Sequence, residues 1–152
     1  MRADINLCGL WIPLITPFRD RAVDHEALAA LVKRLAPSGV AGFVVCATTG
    51  EAPLLSETER DAVLGTVTRS THLPVVVGVS ATTAAEVLQR MQVAAAHRPT
   101  AFLVAAPGYV RPSQAALQAF FTTIADAAPA PLILYDVPAC HVVGHDPSTP
   151  HD

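Results

Sequence analysis

The sequence predicts an α/β fold built on a parallel sheet. Five short apolar runs alternate with four stretches of helical periodicity, and the connections between them are short. The runs are apolar at consecutive positions, as expected of strands covered on both faces; 51% of residues are hydrophobic and the mean hydropathy is +0.40. The length, 152 residues, fits one domain. Strict alternation with right-handed crossovers admits two architectures, an open doubly wound sheet or an incomplete (β/α)8 barrel. A complete barrel takes about 250 residues, and this chain supplies roughly five of its eight strands. The pattern by itself does not choose between them.

The elements follow in order. Residues 10–15 form a short apolar run closed by Thr16-Pro17-Phe18, the first strand. Asp24 caps a helix running through Ala36, with Leu28, Leu31, Val32 and Leu35 on one stripe. Pro37-Ser38-Gly39 stops it. Residues 40–46 are the second strand, leading into Ala47-Thr48-Thr49-Gly50-Glu51. Ser56 and Glu59 form a capping box for a helix to about Ser70. Residues 73–79 are the third strand. Thr83 and Glu86 form a second capping box for a helix to about His97. Residues 101–105 are the fourth strand, followed by a loop, 107–112. Ser113 caps the fourth helix, with Leu117, Phe120, Phe121 and Ile124 on one face, and residues 132–135 are the fifth strand. Residues 140–152 hold three histidines, two prolines and no apolar periodicity, and are expected to be a disordered tail.

Composition excludes several classes. Net charge is −3, with no basic stripe or aromatic ladder, so nucleic acid is not an expected partner. No apolar run approaches the ~20 residues of a membrane span. Cys8, Cys46 and Cys140 have no CxxC spacing and predict a reducing, cytoplasmic setting without disulfides. His141, His145 and His151 are close in sequence, but Gly144 and Pro147 oppose the order a metal site needs, so no metal and no cofactor are expected.

In either architecture a ligand sits at the C-terminal ends of the strands. The residues there are Thr16-Pro17, Thr48-Thr49-Gly50-Glu51, Ser80, Pro107-Gly108-Tyr109 and Tyr135-Asp136. Hydroxyls recur at this one edge. They suit a small carboxylate, with a phenol as proton carrier. As single residues, Thr and Ser are equally at home as turn and capping residues.

Taken as a series, Thr16-Pro17-Phe18, Thr48-Thr49-Gly50-Glu51, Gly78, Pro107-x-Tyr109 with Pro112-Ser113-Gln114, and Tyr135-Asp136-Val137-Pro138 resemble the N-terminal half of the dihydrodipicolinate synthase / N-acetylneuraminate lyase family. The likeness covers about residues 9–139. It implies a (β/α)8 TIM barrel, here about (βα)4β5, with residues 1–139 as the N-terminal part of the barrel domain and 140–152 as a tail. It also implies a homo-oligomer, in the family a tetramer of tight dimers. The implied chemistry is a lysine Schiff base with pyruvate or another 2-keto acid, followed by aldol addition, cleavage or dehydration. Thr48 and Thr49 would hold the keto-acid carboxylate, Thr49 would also link two phenols in a proton relay, Tyr135 would be the general acid/base, and Tyr109 would be lent across the dimer interface. Glu51 would order the loop.

The departures narrow this expectation. Ala47 and Ser80 stand where the family commonly has Gly, and Gly108 replaces an aromatic. Cys140 stands where synthases proper carry an arginine for the second substrate's carboxylate, and a thiol gives no bidentate clamp. This weakens the expectation of aspartate-semialdehyde and opens the alternative of a sugar-acid aldolase or dehydratase, so the second substrate stays open between the two. The sequence contains a single lysine, Lys33, beside Arg34 and off the apolar stripe of the first helix. The expected reading is thus a lyase of this family lacking its Schiff-base lysine and inactive alone. The alternative is a non-catalytic half-barrel that binds a small carboxylate or a partner protein. Unpaired edges at the first and fifth strands further predict that these residues alone are unstable or associate.

Overall fold

The computed structural model describes residues 6–108 and 110–136 of the chain. Chain order is β1 (Trp11–Pro13), β2 (Phe18–Arg19), β3 (Ala22–Val23), α1 (His25–Leu35), β4 (Gly42–Val45), α2 (Glu57–Ser70), β5 (Val75–Gly78), α3 (Ala84–Ala95), β6 (Ala101–Ala105), α4 (Gln114–Ala127) and β7 (Leu132–Tyr135). Short 3-10 turns occupy Ala36–Ser38 and Ala52–Leu54.

The helices begin where the sequence places them, because their caps form. Asp24 accepts from the Ala27 amide at 2.9 Å, and Ser113 accepts from the Ala116 amide at 3.2 Å. Both capping boxes close reciprocally, with Glu59 accepting from the Ser56 amide at 2.8 Å and Glu86 from the Thr83 amide at 3.1 Å. The hairpin β2–β3 is not legible in the sequence. Its turn holds Asp20 at φ 50° and Arg21 at φ 65°, the signs of a type I′ turn, without the Asn-Gly or Asp-Gly pair that marks one.

The main sheet is parallel throughout, in the order β1-β4-β5-β6-β7. Apart from the hairpin, spatial order is chain order. A doubly wound sheet reverses direction at a switch point and puts helices on both faces. Here each right-handed crossover steps the same way, so the helices share one face, and α1 packs on α2, α2 on α3 and α3 on α4. This is the arc of a TIM barrel, and it decides between the two architectures.

Alternate strand residues face the helices. Phe43, Val45, Val75, Val77, Phe102 and Val104 form the core with Leu28, Leu64, Met91 and Ile124. Phe43 and Phe102 have no exposed surface. The other face carries Val44, Leu103, Ile133 and Tyr135, all only partly buried. In a complete barrel that face would be the interior. The expected tail and Cys140 lie outside the described residues.

Candidate functional site

The site is built where β4 ends. Cys46 leaves the strand at φ 52° and Glu51 sits at φ 53°, both left-handed conformations uncommon for non-glycine residues. Between them the chain turns back on itself: the Gly50 amide donates to the Ala47 carbonyl at 3.1 Å, the Glu51 amide to Thr48 at 3.1 Å and the Ala52 amide to Ala47 at 3.3 Å. These bonds engage the amides after the two threonines. The amides and hydroxyls of Thr48 and Thr49 carry no hydrogen bond among the described residues, and both side chains are exposed.

Two neighbours hold the turn. The buried Thr16, just past β1, donates its hydroxyl to the Gly50 carbonyl at 2.8 Å. A Cβ at Gly50 would approach the Leu14 carbonyl to 3.0 Å. From the other side, β5 passes under the turn so closely that a Cβ at Gly78 would lie 2.2 Å from the Cys46 carbonyl oxygen. Glycine at 78 is thus a packing requirement. Ser80 then ties two strand ends together, accepting from the Ala105 amide at 2.9 Å.

Tyr135 closes β7 in register with Ala105. Thr48, Gly78, Ser80, Ala105 and Tyr135 line one cleft of about 610 Å³. The expected residues Thr48 and Tyr135 are therefore brought together. Thr49 is exposed on the adjacent turn and does not line the cleft. Tyr109 lies outside the described residues. Lys33 is exposed on α1, and it does not line the cleft.

Sequence reasoning did not single out Arg60 and Arg90, which also line the cleft. For Arg60 the available signal was position, since in a barrel the helices start beside the ligand edge and Arg60 is in the first turn of α2; Arg90, at the middle of α3, carried no such signal. Arg60 donates Nη2 to the Ala52 carbonyl and Arg90 donates Nη1 to the Ser80 carbonyl, so both also brace loops at this edge. Cys46 packs behind them. Burial first, with Glu57 adding to it and Arg60 opposing, pushes its thiol up to about 11, so it stays protonated and is no nucleophile at neutral pH. Among the described residues, no three His, Cys, Asp or Glu side chains group as metal ligands, and no helix is long and apolar enough to cross a membrane.

A one-way arc of parallel strands, with Thr48, Ser80, Thr82 and Tyr135 lining a cleft at its C-terminal edge, defines a protein of TIM-barrel type. Residues 6–149 match the model of the dihydrodipicolinate synthetase family, and the chain belongs to that family. It is 36% identical over 145 residues to a 4-hydroxy-tetrahydrodipicolinate synthase of Sorangium cellulosum, covering 93% of this chain and 48% of that protein. It is 38% identical to the synthase of Thermomicrobium roseum, covering 94% of this chain and 48% of that one. Among solved structures, the chloride-inhibited dihydrodipicolinate synthase of Acinetobacter baumannii, complexed with pyruvate, superposes with a TM-score of 0.88 at 31% identity, covering 91% of this chain and 49% of that chain. The chain thus spans about half the length of the curated relatives it matches.

Proposed function

We propose that this chain supplies the keto-acid-binding half of a lyase of the dihydrodipicolinate synthetase family. The observation that carries the proposal is the meeting of Thr48 and Tyr135 at one cleft, beside a turn whose threonine amides and hydroxyls are unengaged. Two or more N–H and O–H donors suit the carboxylate of pyruvate or a related 2-keto acid. Tyr135 is the proton carrier, since a phenol beside an imine can protonate or deprotonate the carbon skeleton. Thr49 makes no hydrogen bond with that phenol among the described residues; its share in carboxylate binding and in a relay between two phenols, and the reach of Tyr109 into a neighbouring subunit's site, belong to the proposed homo-oligomer. The Schiff base needs a desolvated amine. The chain's single lysine, Lys33, is exposed, so these 152 residues bind the keto acid without forming the imine and are inactive alone.

The test is pyruvate titration of the 152-residue chain, followed by borohydride reduction and mass spectrometry. We expect saturable binding that weakens in Thr48→Val and in Tyr135→Phe, and no covalent adduct. An adduct on Lys33 would overturn the assignment of the nucleophile. Binding unchanged by Thr48→Val would overturn the carboxylate site.

A further inference from the structure

We propose that Ser80 is a positioning residue: its hydroxyl fixes the end of β6 and, through that strand, sets where Tyr135 holds its phenol. Its consequence for ligand binding rests on the reading of Tyr135 as the proton carrier; its geometry does not. The parallel ladder between β5 and β6 is the starting point. Val79, just past β5, donates its amide to the Leu103 carbonyl at 3.1 Å. Bonds in a parallel pair are evenly spaced, so the next rung would run from the Ala105 amide to the Val79 carbonyl. Among the described residues no such bond forms. The Ala105 amide donates to Ser80 Oγ at 2.9 Å instead. β5 ends at Gly78 while β6 runs on to Ala105, and a side chain supplies the acceptor that the departing strand no longer offers.

Ala105 is buried, so losing that acceptor would leave a buried amide unmet. Neither alanine nor glycine at position 80 could replace it. Ser80 is itself held, because Arg90 donates Nη1 to its carbonyl and is fixed in turn by Glu57 at 2.7 Å. On its other side, Ala105 pairs in register with Tyr135. Among the described residues β7 is bonded to β6 alone, and all four of its residues are only partly buried. The end of this edge strand therefore takes its place from the end of β6, which takes its own from Ser80. Ser80, Ala105 and Tyr135 all line the cleft, so a shift of this rung moves the phenol relative to Thr48. A displacement of about 1 Å is enough to cost a positioned group much of its effect.

The competing reading is a local tie, in which loss of the hydroxyl loosens the loop after β5 and leaves Tyr135 in place. NMR of the 152-residue chain separates the two. Amide hydrogen exchange at Ala105, the Tyr135 ring signals (identified by their loss in Tyr135→Phe) and pyruvate affinity are compared in wild type, Ser80→Ala and Ser80→Thr, which keeps the hydroxyl. We expect Ala105 exchange to rise about tenfold in Ser80→Ala, the scale of one hydrogen bond. The Tyr135 ring signals should shift with it, and both should return towards wild type in Ser80→Thr. Pyruvate affinity should fall about threefold or more in Ser80→Ala, and the same change made on Tyr135→Phe should lower it no further, because Ser80 acts through the phenol. If Ser80→Ala does not fold, Ser80→Cys, with its weaker acceptor, is read in its place. Unchanged Ala105 exchange, or faster exchange with unmoved Tyr135 ring signals, would overturn the proposal, as would a loss of affinity that persists in full on Tyr135→Phe. A wild-type chain that does not bind pyruvate would overturn the keto-acid reading instead; the exchange and ring signals need no ligand and still decide what places Tyr135.

Discussion

Gly78→Ala is the sharpest test of how the turn is held. A methyl group at this position would meet the Cys46 carbonyl oxygen at 2.2 Å, its carbonyl carbon at 2.9 Å and the Ala47 Cα at 3.2 Å. Non-bonded carbon atoms settle at about 3.5–4.0 Å, so the overlap with the oxygen is on the order of 1 Å. All three atoms are backbone, and no rotamer change relieves them. The strain must instead move β5 away from β4 or lift the Cys46–Ala47 peptide, whose φ of 52° at Cys46 already leaves little freedom. Overpacking of this kind costs about 1–3 kcal/mol, and the rigid neighbours put this case near the upper figure. With a urea m-value of about 2 kcal/mol per molar, the midpoint should fall by about 1 M or more. The measurement is urea unfolding at matched protein concentration, beside Gly108→Ala as a control. A Cβ at Gly108 meets nothing within 4 Å, so that change should stay within about 0.5 kcal/mol. A Gly78→Ala midpoint within about 0.3 M of wild type, at unchanged m, would refute the packing argument.

Other outcomes follow from the same geometry. Thr16→Val removes the hydroxyl that serves the Gly50 carbonyl, leaving a buried acceptor unmet; it should cost about 1–3 kcal/mol and speed hydrogen exchange in the turn, while Thr16→Ser should not. At pH 8 the exposed Cys8 should react promptly with a thiol reagent, and Cys46, buried and pushed up to about 11, should react only on unfolding; equal rates in the native chain would contradict its burial. Glu59 is held below its ordinary value of 4.5 by the Ser56 amide and then the Ser56 hydroxyl. Its stabilisation is therefore complete above the unfolded-state value and is lost as pH falls through the lower folded one. The melting temperature of Glu59→Gln should approach that of wild type in acid, and a gap that persists in strong acid would contradict this. The described sheet leaves β1 and β7 as open edges, so the 152-residue chain should associate in sedimentation velocity; a monodisperse, cooperatively melting monomer would refute that.

Much of the fold was legible because its signals are local. A cap is a contact between residues three apart, and Ser56 with Glu59 or Thr83 with Glu86 can be read without knowing what packs on the helix. The hairpin β2–β3 was not legible, since its strands are two residues each and its turn uses Asp20-Arg21. β1 is shorter than the apolar run 10–15 because its pairing with β4 covers only Trp11–Pro13. The roles of Thr16 and Gly78 could not be read at all. Each acts on a segment about thirty residues away in sequence, and nothing in a Thr-Pro or Val-Gly pair names that partner.

The sequence by itself determined the alternation of strands and helices, the helix caps, and the motif series that marks the family. These depend on residue type and short spacing, which survive in a linear text. Only the tertiary structure decided that the sheet runs one way, with all helices on one face, because strand order is a property of long-range pairing. Only it brought Thr48 to the same cleft as Tyr135, 87 positions along the chain, and left Thr49 on the rim. It also set Arg60 and Arg90 beside one carboxylate, Glu57, at 3.8 Å and 2.7 Å, distances that no composition or spacing encodes.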